Sequence, residues 1–197
     1  MRVTAKRPWL ITALIGGSLL GVIGAASLVV YGGIYNVAAD VPHSEPVFWL
    51  LETARDRSIA ARAARVAISG NLSDPKRIAS GAGQYAEMCS ACHLAPGMKR
   101  TEISRGLYPR PPDLRRGSRS TPAEDFWVVK HGVKMTGMAA WGVTHDDEIL
   151  WDVVAFLRKM PDLTPEQYQA LVKSVPKTHD EMMQREEAGD NNSVHHH

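Results

Sequence analysis

From Pro8 to Ala39 no side chain carries a charge. Within that stretch, Leu10 to Tyr35 is apolar or glycine apart from Thr12, Ser18, Ser27 and the terminal tyrosines Tyr31 and Tyr35. As a helix, such a run exceeds the ~20 residues needed to cross a hydrocarbon core. Trp9 stands at one end and Tyr31 and Tyr35 at the other, where amphipathic rings favour the two interfaces. Arg2, Lys6 and Arg7 precede the run, so the positive-inside rule keeps the short N-terminus cytoplasmic and sends the rest of the chain outward. Residues 1–39 are therefore expected to form a cytoplasmic N-terminus and a single-pass anchor touching lipid through residues 10–35. The remainder then lies on the periplasmic side of a bacterial inner membrane. A cleaved signal peptide ending at Val37-Ala38-Ala39 is the competing reading, although a signal's apolar region spans only ~7–15 residues. Both deliver the rest of the chain to the same side.

The charge balance follows this division. The 197-residue chain carries 23 Lys+Arg against 21 Asp+Glu. Setting aside Arg2, Lys6 and Arg7 leaves 20 basic against 21 acidic residues from Asp40 onward. That excludes a strongly basic nucleic-acid binder. The 22% charged residues and 5 tryptophans also argue against a disordered chain. Neither a nucleic acid nor a small-molecule substrate is expected as a partner.

Residues 40–73 read as a connecting segment. Ser44-Glu45-Pro46 resembles an N-cap followed by a first-turn proline. An Ala/Arg-rich helix is expected from Val47 to about Ser69, with Gly70-Asn71 as its stop. Phe48, Leu51, Ile59 and Val66 mark an apolar stripe, and Arg55, Arg62 and Arg65 lie among alanines. A spacer packed on the following domain is the preferred reading, and a helix lying on the membrane surface is the alternative. His43 is expected to be a surface histidine.

Both cysteines of the chain fall within Cys89-Ser90-Ala91-Cys92-His93. A thiol redox site would need a thioredoxin-like βαβ setting, which these helix-rich surroundings do not offer. A structural zinc would need two further ligands, and no other cysteine exists. Attachment of haem c uses two thiols for thioether bonds and the adjacent histidine as iron ligand, which accounts for all three residues. Cys89, Cys92 and His93 are thus the expected attachment residues for one haem, with His93 as a metal ligand.

The flanking segments are helical. Ser73-Asp74-Pro75 starts a helix in which Ile78, Gly81, Ala82, Tyr85 and Met88 recur at helical spacing. Thr121-Pro122-Ala123-Glu124 is a capping box opening a helix to Gly132. Thr144 is expected to cap a helix through Met160, with Leu150, Trp151, Val154 and Leu157 on its apolar face and Pro161 ending it. Thr164-Pro165-Glu166-Gln167 starts one more. No segment gives a convincing series of strands, so the fold class is all-α. On the second side of the iron, Met135, Met138, His131 and His145 are candidates, the two histidines being expected at the surface.

In this order the elements resemble the class I cytochrome c family, particularly its small bacterial members. The resemblance covers about Asp74 to Pro161: a helix with Gly81 and Tyr85, the haem motif, Pro112-Asp113-Leu114, Gly137-Met138-Ala139-Ala140-Trp141, and a helix with Ala155-Phe156-Leu157. It implies an all-α haem domain over 74–161, followed by a C-terminal helical extension and tail over 162–197. It also implies that Pro112 offers its carbonyl to the proximal imidazole and that Met138 is the distal ligand. Met138 has the family's preceding glycine and a following aromatic, Trp141, whereas Ala139 stands where proline is usual. Met135 lacks these neighbours.

Between His93 and Ser120 lie Lys99, Arg100, Arg105, Arg110, Arg115, Arg116 and Arg119, against Glu102 and Asp113. Two roles compete for this basic loop. One is neutralising the haem propionates, with Tyr108, Arg110 and Trp127 as hydrogen-bond candidates. The other is steering an acidic redox partner. Beyond Pro161 acidic residues dominate, a disordered end is expected from about Gly189, and His195-His196-His197 is read as a tag remnant.

The expected function is one-electron transfer by a membrane-anchored carrier with one His93/Met138-ligated haem c, not an enzyme in its own right. By resemblance its partners are a quinol-cytochrome c oxidoreductase or a dehydrogenase on one side and a terminal oxidase or reductase on the other. The alternative is a permanent cytochrome c subunit of a membrane oxidoreductase complex.

Overall fold

The computed structural model describes residues 8–175, which are helical with no strand among them. Arg2, Lys6 and Arg7, the acidic segment after Val175 and the terminal histidines lie outside the described residues. The chain divides into two units, residues 1–41 and 42–197.

The first unit is built on α1 (Pro8–Tyr31). Its Trp9–Tyr31 stretch is long and apolar enough to cross a membrane. At 1.5 Å per residue it extends about 35 Å, slightly more than a hydrocarbon core. The helix stops sooner than the apolar sequence does. Gly33 takes φ +62°, and a Cβ on Gly32 would lie 2.4 Å from the Leu28 carbonyl oxygen, so the glycines turn the chain out of the helix before Tyr35.

The second unit contains α2 (Glu45–Ala63), α3 (Pro75–Met88), α4 (Ser90–His93), α5 (Glu102–Gly106), α6 (Pro122–His131), α7 (Asp147–Lys159) and α8 (Pro165–Ser174), with three short 3-10 turns. Helix α7 is its spine. Leu150, Trp151, Val153, Val154, Ala155, Phe156 and Leu157 are all buried, because the helix is covered on two sides. On one side Val153, Phe156, Leu157 and Met160 pack with Ala82, Tyr85 and Cys89 of the α3 segment and Tyr168 of α8. On the other, Leu150, Trp151 and Val154 meet Phe126 and Val129 of α6, with the Phe126 and Trp151 rings stacked at 4.2 Å.

Helices α3 and α7 cross in direct contact because residue 81 is glycine. A Cβ there would lie 1.9 Å from the Asp152 carbonyl oxygen and 2.9 Å from Cβ of Phe156. The expected capping boxes form at Thr121/Glu124 and Thr164/Gln167. Asp74 caps α3 by accepting the Lys76 amide at 2.9 Å.

Three local expectations are corrected. Helix α2 ends at Ala63 rather than near Ser69, because Val66 and Leu72 leave the helical path to pack on the Phe126–Trp151 core. Helix α7 is capped by Asp146, which accepts the Ile149 amide at 3.2 Å, and Thr144 belongs to the preceding turn. His145 is buried rather than at the surface, edge-on to Trp141 with centroids 5.7 Å apart.

Candidate functional site

The Cys89–His93 motif forms a single helical turn between α3 and the loop that follows. The Cys92 and His93 amides both bond back to the Cys89 carbonyl, at 3.2 and 2.9 Å, so one turn carries all three side chains. Cys89 is buried in the α3/α7 core and Cys92 is half-buried, and both are free thiols. Burial, reinforced by the neighbouring Cys92, pushes the Cys89 thiol up to about 12. A thiol so protonated is a poor thiolate nucleophile, which weighs against dithiol redox chemistry. Among the described residues no group of three or more His, Cys, Asp or Glu is arranged to hold a metal ion.

The imidazole of His93 is oriented from outside the motif. Its Nδ1 lies 3.0 Å from the Pro112 carbonyl oxygen. A carbonyl can only accept, so Nδ1 carries the proton and donates, and Nε2 keeps its lone pair. Burial lowers the His93 pKa, against the opposing hydrogen bond to Pro112, and so favours the neutral imidazole, the form able to bind a metal.

The turn is braced at its exit. Leu94, fully buried, has φ +66°, a conformation unfavourable for a branched side chain. Its amide bonds to the Ser90 carbonyl at 2.9 Å and its carbonyl accepts the Tyr85 hydroxyl at 2.5 Å. Thr101 does two jobs: its hydroxyl donates to the Ala91 carbonyl and accepts the Ser104 amide, tying the motif to the start of α5. Sequence reasoning missed Thr101, whose grip on residue 91 becomes visible only when the loop is folded.

Met138 sits at the end of a loop closed on itself. The Val133 amide donates to the Met138 carbonyl at 3.2 Å, and the Met138 amide donates to Thr136 Oγ1 at 3.1 Å. Met138 and Trp141 pack against the Phe126–Trp151 core. Gly132, with φ +63°, abuts Met138, because a Cβ there would lie 2.6 Å from its carbonyl oxygen. Met135 occupies the loop's left-handed position at φ +58° and is 99% exposed. The two methionines therefore differ in kind: one side chain rests on the core and the other is in solvent.

The remaining candidates are dispersed. Tyr108 is half-buried against His43, accepting the His43 amide at 3.0 Å, with ring centroids 5.0 Å apart. His43 is thus tied to the loop after the motif. Trp127 lies beside His131, with centroids 4.9 Å apart, and lines an open cleft of about 490 Å³ between α2 and α6 with Arg55, Ile59 and Arg62. Arg110 is exposed.

The basic loop separates into structural and exposed charges. Arg115 donates from Nε and Nη2 to Asp113, at 2.7 and 2.6 Å, and from Nη1 to the Met98 carbonyl at 2.7 Å. This clamp fixes the segment directly after Pro112 and holds the Asp113 carboxyl below its ordinary pKa. Lys99, Arg105, Arg110, Arg116 and Arg119 are exposed. A second clamp, not foreseen from sequence, joins buried Asp125 to Arg158 and to the Ser118 hydroxyl, while Arg158 also donates to the Ser120 carbonyl.

An all-α domain with two thiols and a tautomer-fixed imidazole on one turn has the residues that a covalently held haem requires. Residues 76–157 match the family model described as cytochrome C oxidase, cbb3-type, subunit III. No curated protein and no solved structure matches the chain. The match indicates a c-type cytochrome domain over this segment, which implies haem-based electron transfer and covalently bound haem c.

Proposed function

We propose that the chain is a membrane-anchored, periplasmic one-electron carrier with a single haem c, ligated by His93 and Met138 and attached through Cys89 and Cys92. The observation that carries this reading is the His93–Pro112 contact, which leaves Nε2 of a neutral imidazole as the metal-binding atom on the same turn as both thiols. When bound, the haem supplies an Fe(III)/Fe(II) couple whose potential depends on axial ligands and burial. Pro112 holds the imidazole plane, and the Asp113–Arg115 clamp holds Pro112. The closed 132–138 loop positions the Met138 thioether, and α3 and α7 exclude water from the Cys89 side. Apart from Arg115, the basic residues flanking Pro112 are exposed, a distribution suited to an acidic redox partner. As an anchor, α1 would keep the domain near membrane donors and acceptors at high effective concentration.

A permanent subunit of a membrane oxidoreductase complex is the second reading, favoured by the description of the matching family as an oxidase subunit. Purification of the full chain from native membranes in mild detergent separates the two. A free carrier elutes alone, and a subunit brings a fixed-stoichiometry partner. The ligand assignment is tested by the visible spectrum of wild type and Met138→Leu.

A further inference from the structure

The described surface of the second unit exposes three large apolar side chains in a row, Trp49, Leu50 and Leu51, at 66%, 59% and 51%. They lie at the start of α2. The helix packs on α6, and along it Ala63 is buried while Phe48 and Ile59 are half-buried. Consecutive helical residues are rotated by about 100°, so the trio wraps about 200° of the circumference. A stripe left over from domain packing would instead recur every three or four residues. This is an apolar tip rather than an apolar face.

We propose that the first turns of α2 dip into the interfacial layer of a lipid bilayer, with Trp49, Leu50 and Leu51 as the inserted side chains. The inference rests on reading α1 as a membrane anchor. Three observations favour lipid over another occupant. Tryptophan beside leucine is a composition suited to the headgroup–acyl boundary. The trio follows the end of the membrane-length helix by only 13 linker residues, 32–44, and the start of α2. That tether holds the tip near a bilayer, so a contact too weak to bind a free domain becomes effective. Arg57, about two turns farther along α2, is exposed, at a depth suited to anionic headgroups. Glu45 at the very start of the helix keeps the insertion shallow. The consequence is orientational: a second attachment converts a swinging domain into one with a preferred tilt.

The test is linear dichroism of the haem Soret band of the full, haem-loaded chain in oriented bilayers of phosphatidylglycerol and phosphatidylethanolamine. Flotation of the same samples checks membrane retention. Wild type and Trp49→Phe should show the same dichroism. A Trp49→Ser/Leu50→Ser/Leu51→Ser variant should lose at least two-thirds of it while still floating. The single Leu50→Ser variant should give an intermediate loss with an unchanged absorption spectrum. Equal dichroism in the triple-serine variant overturns the proposal. So does an isotropic wild type that floats, the outcome expected if a protein partner rather than lipid covers the tip. Wild type that fails to float overturns the anchor reading, and this inference with it.

Discussion

Gly81 and Asp152 are in backbone contact: a single carbon added to the glycine would overlap the aspartate carbonyl at 1.9 Å. That contact sets the crossing of α3 and α7, and the crossing positions the turn bearing Cys89, Cys92 and His93. Backbone cannot yield as a flexible side chain can. Gly81→Ala should therefore lower stability by about 3 kcal/mol, at the upper end of overpacking costs, or prevent accumulation of the haem-loaded protein. Gly83, two residues on, has only Val175 side-chain atoms near its added carbon, the closest at 3.5 Å. Gly83→Ala should be neutral or stabilising by up to about 1 kcal/mol, from helix propensity. Denaturant midpoints of the two variants check the contrast.

Arg158→Met should carry a pH-dependent penalty. Burial holds the Asp125 carboxyl up at about 6, opposed by the Ser118 hydroxyl and Arg158. Without the guanidinium the folded-state pKa rises further above its unfolded value. A raised carboxyl pKa contributes stability below the unfolded pKa and loses it as pH rises through the folded one. The variant should thus be destabilised by about 3 kcal/mol at pH 7.5, as for a broken buried pair, and by clearly less at pH 5. Urea unfolding at both pH values reads the difference, and a penalty equal at both contradicts the account.

The exposed and clamped arginines should separate in experiment. Arg115→Ala removes three hydrogen bonds and should cost about 2 kcal/mol of stability. Arg110→Glu with Arg116→Glu should leave the melting temperature nearly unchanged. It should slow oxidation of the reduced protein by ferricyanide, with the effect shrinking as salt rises. A salt-independent loss would count against steering.

How much of this was readable from sequence depended on the range of the interaction. The attachment motif, the capping boxes at Thr121 and Thr164 and the membrane-length run rest on residues within a few positions of one another. The tyrosine at 85 and glycine at 81 were legible as one helix face, but what they touch, Leu94 and Asp152, required the folded chain. Long-range polar partners such as Asp125 with Arg158, or His43 with Tyr108, leave no local pattern. The sequence predicts a longer α2 than the one that forms, because alanines and arginines continue past Ala63 and are good helix formers. Packing of Val66 and Leu72 on the core outweighs that propensity.

Attachment through the two thiols has its own readout. Intact-mass measurement of the chain, matured in a host that assembles c-type cytochromes, should show the mass of one haem. Cys89→Ala with Cys92→Ala should abolish the covalent adduct and leave any haem extractable by acid acetone. A second haem mass on wild type would contradict the single-haem account.

The most direct test is the visible spectrum of the oxidised, full-length protein and of Met138→Leu. If His93 and Met138 hold the iron, wild type is low-spin with a methionine–iron charge-transfer band, and that band disappears in Met138→Leu but survives in Met135→Leu. Persistence of the band after Met138→Leu would contradict the assignment and transfer the ligand role to Met135.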